Sequence, residues 1–206
     1  MGVTFDNTEK KFIFDFDHDG AEDIVSLTGN GYQVEAFGKC FYYGYEFSEQ
    51  VDSSVRTAFI KYVKFTESLQ NTPDLTNFIK KAVDNLHKKI NLYNYNIVVM
   101  PESSSKVNQY MLRYIYRFAQ PTLYKMTDVK KSRLRPYIMN FLRFESEEEQ
   151  ELCAKVRQQN VLVIDDVTTS GSTLNEILRT LRILNEDNEI TIFSLIGRND
   201  LMADSL

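Results

Sequence analysis

The sequence predicts an α/β fold: a mainly parallel central sheet with helices on both faces, preceded by a strand-rich amino-terminal segment. Three observations predict it. From about residue 95 onward, short apolar runs (YNIVVM, PTLY, YIMNFLRF, VLVID, EITIFSLIG) alternate with stretches of helical periodicity. Parallel strands are joined by crossover helices and buried on both faces, so they read as unbroken apolar runs. The first fifty residues instead hold alternating and aromatic-rich segments around turn signals. Finally, 206 residues with 43% hydrophobic and 26% charged side chains can bury a core without disulfides or a structural metal, and carry too little charge for disorder.

The elements follow in order. KKFIFDFD alternates apolar and polar residues, and YQVEAFGKCFYYGYEF is rich in aromatics, with GNG between them as a turn signal; an antiparallel hairpin is expected there. In SSVRTAFIKYVKFTESL, Val55, Phe59, Tyr62 and Val63 recur at helical spacing. After a break at residues 71–73, DLTNFIKKAVDNLHKKI places Leu75, Phe78, Ile79, Val83, Leu86 and Ile90 on one stripe, with Asp74 positioned to cap it. YNIVVM is a buried strand ending at Pro101. VNQYMLRYIYRF is a helix with Val107, Tyr110, Met111, Tyr114, Ile115 and Phe118 on one face. PTLY is a short strand, KMTDVKKSRLRP a basic loop, and YIMNFLRF another strand. Ser146 with Glu149 forms a capping box for a helix running through Gln158. VLVID is a strand, LNEILRTLRIL a helix and EITIFSLIG the last strand. No internal repeat, low-complexity tract or linker interrupts this pattern, so a single domain spanning 1–206 is expected.

Charge narrows the function classes. Twenty-four Lys and Arg against 29 Asp and Glu give a formal charge of −5, which argues on average against a protein that coats nucleic acid or an anionic membrane. The average conceals a split. Lys106, Arg113, Arg117, Lys125, Lys130, Lys131, Arg133, Arg135 and Arg143 face only one acid, Asp128, so residues 106–143 carry +8 and the remainder −13. One face suited to an anion, or a solvated basic face, would account for it. Two cysteines, Cys40 and Cys153, fit a reducing compartment and a cytoplasmic location. The first twenty residues offer no apolar core of a signal peptide, and no segment approaches the roughly 18 apolar residues of a membrane-spanning helix.

Ligands of mainly parallel sheets sit at the carboxyl ends of the strands. That selects the loops after Met100 and after Ile164. The second reads VLVIDDVTTSGST from Val161 to Thr173: an apolar strand, the adjacent carboxylates Asp165 and Asp166, then five hydroxyl residues and Gly171 ahead of a helix bearing Leu174, Ile177, Leu178 and Leu181. Backbone N–H groups, the positive end of the helix dipole and hydroxyls converge there, as a phosphate requires. The acids call for a bridging divalent cation or for sugar hydroxyls. A Walker A loop is excluded because no Lys follows Gly171, and a dinucleotide fingerprint because the loop has one glycine.

These thirteen residues resemble the signature of the type I phosphoribosyltransferases, which bind phosphoribosyl pyrophosphate (PRPP). The resemblance implies that Asp165 and Asp166 hold the ribose hydroxyls, directly or with Mg²⁺, and are the catalytic and metal-binding carboxylates. It implies that Thr168, Thr169, Ser170, Gly171, Ser172 and Thr173 cradle the 5′-phosphate, with Gly171 admitting a close backbone approach. Family members bind pyrophosphate in the loop after the first core strand. The matching place here is Glu102, Ser103, Ser104, Ser105 and Lys106, where a helix-capping serine run is the alternative. They also close a mobile loop over the substrate, for which Lys125, Lys130, Lys131, Arg133 and Arg135 are candidates. Residues 71–206 would then be the PRPP-binding core, and residues 1–70 a variable hood or extension that recognises the acceptor. The implied activity is transfer of the phosphoribosyl group to a nitrogen nucleophile, a nucleobase or amine, with release of pyrophosphate. A PRPP-sensing regulator that uses the basic segment on nucleic acid is the alternative. The partners implied are PRPP and an acceptor the sequence does not identify, with nucleic acid and membrane disfavoured and a homodimer open, since family members are often dimers.

The amino-terminal segment holds decoys. DFDHDGAED places acids at Asp15, Asp17 and Asp19 and a glycine at Gly20, but Glu22 occupies the apolar position of a calcium loop and Ser26 the place of its bidentate Glu. A strand running into an acidic turn is the better reading. His18 and His87, the only histidines, lie in no ligand-spaced cluster, so zinc is not expected. FYYGYEF packs a sheet more readily than it stacks on a base.

Overall fold

In the computed structural model the described residues are 2–15, 17, 25–36, 39–48, 50–66, 72–101, 105–118, 122–126, 160–168, 171, 173–174, 177–178 and 190–197, with the backbone alone for 26–36, 39–40 and 122–126. Eight strands, β1 (Gly2–Asp6), β2 (Lys11–Asp15), β3 (Val25–Ala36), β4 (Lys39–Phe47), β5 (Ile97–Pro101), β6 (Thr122–Met126), β7 (Val161–Val167) and β8 (Ile190–Gly197), form one sheet in the order β2-β1-β3-β4-β8-β7-β5-β6. The last five strands in that order run parallel, while β3, β1 and β2 extend the sheet antiparallel beyond β4. The predicted α/β class holds.

The amino-terminal strands differ from the expectation in two respects. Gly2–Asp6 is a strand the sequence reading did not assign. It pairs with β2 through a tight turn in which the Asp6 carboxylate accepts from the N–H groups of Thr8 (2.7 Å) and Glu9 (3.0 Å), and Lys10 takes a left-handed φ of 53°. The GNG signal is not a turn. It lies inside β3, where the register with β4 shifts between Leu27 and Tyr32, as glycines in a strand permit. The β3–β4 hairpin closes later, with Ala36 opposite Lys39.

Three helices, α1 (Ser53–Phe65), α2 (Pro73–Lys89) and α3 (Val107–Ile115), match the periodic stretches. Asp52 caps α1, its carboxylate accepting from the Ser54 N–H at 2.6 Å. Asp74 does not cap α2. Pro73, whose fixed φ suits the first helical position, starts the helix after Thr72, so Asp74 falls inside the first turn, where its charge still complements the dipole. Helix α3 stops at Ile115, three residues short of the periodic pattern.

Burial follows the strand alternation. Val98, Met100, Leu162, Ile164 and Phe193 share one apolar cluster with Leu75, Phe78, Ile79, Val83 and Leu86 of α2 and Val107, Met111, Leu112 and Ile115 of α3. Val99, Val161, Val163 and Ile192 are buried outside that cluster, on the alternate face; Leu174, Ile177 and Leu178, at helical spacing, are also buried and outside it. Helix α2 packs against β2, β3, β4 and α3, and α3 against β7. Gly44 permits the close approach of β4 to α2: a Cβ there would stand 2.5 Å from the Cβ of Ala82. Tyr45 seals the same junction, stacked on Phe78 at 3.6 Å between ring centroids and donating its O–H to the Phe78 carbonyl at 2.8 Å.

Sheet order fixes where a ligand can sit. From β5 the chain passes through α3 to β6 on one side, whereas from β7 it passes to β8 on the other. β5 and β7 are neighbours, with Val99 opposite Val163, so the strand order reverses direction between them, and the carboxyl ends of strands at such a point are where ligands of open α/β sheets bind.

Candidate functional site

Strand β7 runs two residues past the predicted VLVID, so both acids are still within the sheet: Asp165 lies opposite Ser194 and Val167 opposite Ile196 of β8. Consecutive strand residues point to opposite faces, so Asp165 and Asp166 diverge instead of forming a side-by-side pair. Both are buried, at 2% and 0% exposure. A carboxylate so enclosed needs charged or N–H partners. Asp165 Oδ1 accepts from the Asp166 N–H at 2.9 Å. Asp166 Oδ1 accepts from the Val167 N–H at 2.6 Å and forms an ion pair with Lys64 Nζ at 3.1 Å. Asp166 Oδ2 is buried with no hydrogen-bond partner among the described residues.

Beyond the acids the chain is anchored and then turned. The Thr168 N–H donates to the Ile196 carbonyl at 2.9 Å, and its hydroxyl shares a hydrogen bond with that of Ser194, tying the loop entrance to β8. Gly171 has φ 67°, the left-handed region in which a Cβ is strained. Helical geometry is present at Thr173 and Leu174, both buried. The described part of the loop therefore has the form expected of an anion site: strand, left-handed glycine, helix start. Thr169, Ser170 and Ser172 lie outside the described residues.

At the neighbouring strand end, Ser105 is buried and its Oγ accepts from the Val107 N–H at 3.2 Å, while the N-cap position of α3 is Lys106, with no side-chain cap. Lys106 is exposed at the start of α3. Glu102, Ser103 and Ser104 lie outside the described residues. Of the loop candidates, Lys125 belongs to β6, opposite Met100 of β5, and not to the loop: the apolar run PTLY is extended by two residues because the pairing with β5 continues to Pro101. Lys130, Lys131, Arg133 and Arg135 lie outside the described residues. Two other members of the basic segment are engaged locally, Arg113 over the Tyr110 ring at 4.9 Å and Arg117 over Tyr114 at 5.9 Å.

Two residues of this region were not flagged by the sequence. Lys64, in the last turn of α1, reaches Asp166 from a helix distant in the chain, and a lone lysine carries no signal of that kind. Asn108, in the first turn of α3, is 1% exposed, and neither its amide nitrogen nor its oxygen has a hydrogen-bond partner among the described residues. Its position at 108, with Met111, Leu112 and Ile115, on the buried stripe of the helix was the available signal: a polar side chain where an apolar one is expected.

Among the described residues no three His, Cys, Asp or Glu side chains cluster as metal ligands, so no protein cage for a metal is present there. The bare Oδ2 of Asp166 instead suits an ion such as Mg²⁺ that takes its remaining ligands from phosphate and water. No described helix is long and apolar enough to cross a membrane.

No family model and no curated protein sequence matches the chain. Among solved structures, it is similar to a hypoxanthine phosphoribosyltransferase from Staphylococcus aureus in two crystal forms. In the orthorhombic form the TM-score is 0.41 at 14% identity, over 66% of this chain and 74% of the other. In the tetragonal form it is 0.43 at 13% identity, over 68% and 77%.

Proposed function

We propose that the chain is a Mg²⁺-dependent phosphoribosyltransferase, which binds PRPP at the carboxyl ends of β5 and β7 and transfers its phosphoribosyl group to a nitrogen nucleophile. The observation that carries this reading is the run of buried Asp165 and Asp166 at the tip of β7, followed by the left-handed Gly171 and a helix start. Buried carboxylates beside an anion cradle are costly unless a ligand joins the two, and a phosphorylated ribose presents hydroxyls to the acids and phosphate to the cradle.

In the proposed reaction the bond between ribose C1′ and the pyrophosphate oxygen breaks, and the bonding pair leaves with pyrophosphate. Positive charge develops on the ribose ring, and the lone pair of the acceptor nitrogen forms the new bond to C1′; a proton of that nitrogen is released. Asp165 and Asp166 hold the ribose hydroxyls and place negative charge near the developing cation. Residues Thr168 to Thr173 hold the 5′-phosphate. Asp166, through its bare Oδ2, would also hold Mg²⁺, which supplies charge neutralisation to the leaving pyrophosphate. Lys106 and the basic residues Lys130, Lys131, Arg133 and Arg135 are proposed to contact the same leaving group. Residues 1–70 are proposed to recognise the acceptor.

Titration calorimetry with PRPP and Mg²⁺, followed by a screen of nucleobases and amines for pyrophosphate release, tests the reading. Binding and turnover are expected. Binding without turnover, joined to RNA or DNA affinity that falls steeply with salt, would identify a PRPP-sensing regulator instead. Absence of PRPP binding overturns the proposal.

A further inference from the structure

We infer that Lys64 is a positioning residue of the PRPP site, reaching it from the amino-terminal segment; the inference rests on the phosphoribosyltransferase reading. The two oxygens of the Asp166 carboxylate are treated differently. Oδ1 accepts from the Val167 N–H and from the Lys64 ammonium, while Oδ2 is buried with no hydrogen-bond partner among the described residues. A carboxylate that rotated would exchange its oxygens. Two donors on Oδ1, one of them charged, oppose that rotation and keep Oδ2 as the oxygen left for a ribose hydroxyl or a cation.

Burial supports a role beyond surface charge. The Lys64 side chain is 15% exposed and that of Asp166 1%, so solvent screens the pair little. The connection also spans the fold. Lys64 lies in the last turn of α1, in the amino-terminal third of the chain, whereas Asp166 is the penultimate residue of β7 in the middle of the sheet. Displacement of α1 would therefore release Oδ1 and loosen the ligand-facing oxygen, giving the amino-terminal segment a direct hold on PRPP affinity.

PRPP affinity in the presence of Mg²⁺, measured by calorimetry on the full chain, tests this with Lys64→Met, Lys64→Arg, Asp166→Asn and the Lys64→Met/Asp166→Asn double variant. Thermal melting of each variant without ligand accompanies the titrations. Lys64→Met keeps the apolar stem and is expected to weaken PRPP binding by about tenfold or more. Lys64→Arg is expected to restore most of it, and Lys64→Met to add little once Asp166 is already Asn. Should Lys64→Met not fold, the same comparison runs on Lys64→Gln. Loss of melting temperature with unchanged PRPP affinity, or additive losses in the double variant, would show that Lys64 only compensates a buried charge and would overturn the inference while leaving the proposed function standing. Failure of the unmodified chain to bind PRPP would overturn both.

Discussion

Tyr45 on β4 and Asp166 on β7 are polar side chains buried in the same sheet, separated by β8. Their surroundings are opposite. The Tyr45 hydroxyl is satisfied by the Phe78 carbonyl at 2.8 Å and its ring is covered by that of Phe78. Asp166 has one oxygen with two donors and the other with none among the described residues. A buried polar group that is fully paired contributes to a unique packing, whereas one left bare costs free energy that a ligand can recover. The junction of β4 with α2 therefore reads as structural, whereas the tip of β7 keeps a buried carboxylate oxygen without a partner among the described residues.

Breaking the second region should abolish function with the fold retained. Asp165→Asn with Asp166→Asn is expected to lower PRPP turnover by about a thousandfold or more, worth at least about 4 kcal/mol of transition-state stabilisation, with an unchanged far-ultraviolet spectrum. Full activity in that variant would sink the assignment. Breaking the first region should do the reverse. Phe78→Ala removes a fully buried ring that contacts Tyr45, Phe14 and Phe59, and is expected to cost about 3 to 5 kcal/mol in urea unfolding. Activity per folded molecule should stay near that of the parent.

Smaller changes sharpen the same contrast. Tyr45→Phe keeps the stacked ring and deletes one hydrogen bond, for an expected loss of about 1 kcal/mol. It should also change the alkaline limb of stability. Burial raises the Tyr45 phenol well above its usual 10.0, so the unfolded chain releases that proton at a pH where the folded chain retains it. The contribution of Tyr45 is thus complete below about pH 10 and declines as pH rises toward the folded-state value. Urea midpoints measured up to about pH 11 should fall less steeply in Tyr45→Phe than in the parent. The smallest expected effect lies at the start of α1. Hydrogen bonds from the Ser54 side chain, then from its backbone N–H, hold the Asp52 carboxyl below its usual value, so this cap stabilises above the unfolded-state value and is lost as pH falls through the folded one. Asp52→Ala should flatten the acid limb of the melting temperature slightly.

The fold was legible wherever one element decided its own state. Helices α1 and α2 announced themselves by apolar spacing, and β5, β7 and β8 by unbroken apolar runs, since a strand buried on both faces needs no partner identity to be recognised. The errors fell where the outcome depended on a neighbour. Gly29 to Gly31 carry a turn signal, but pairing of β3 on both sides of them turns it into a register shift. Lys125 read as loop because it is polar, yet pairing with β5 keeps it in β6. Strand β1 is five residues of mixed character that two antiparallel partners hold in place.

The same division runs through the candidate site. The sequence by itself determined the content of the stretch from Asp165 to Thr173, two acids, hydroxyls and Gly171, because those residues are contiguous and the left-handed turn is a local property of glycine. Tertiary structure alone decided which of their atoms are engaged. It brought β5 beside β7, buried both carboxylates, and set Lys64 of α1 on one oxygen of Asp166. The physical reason is that burial and ion pairing depend on which distant segments meet. Those meetings are set by the order of strands in the sheet, which no stretch of local sequence encodes.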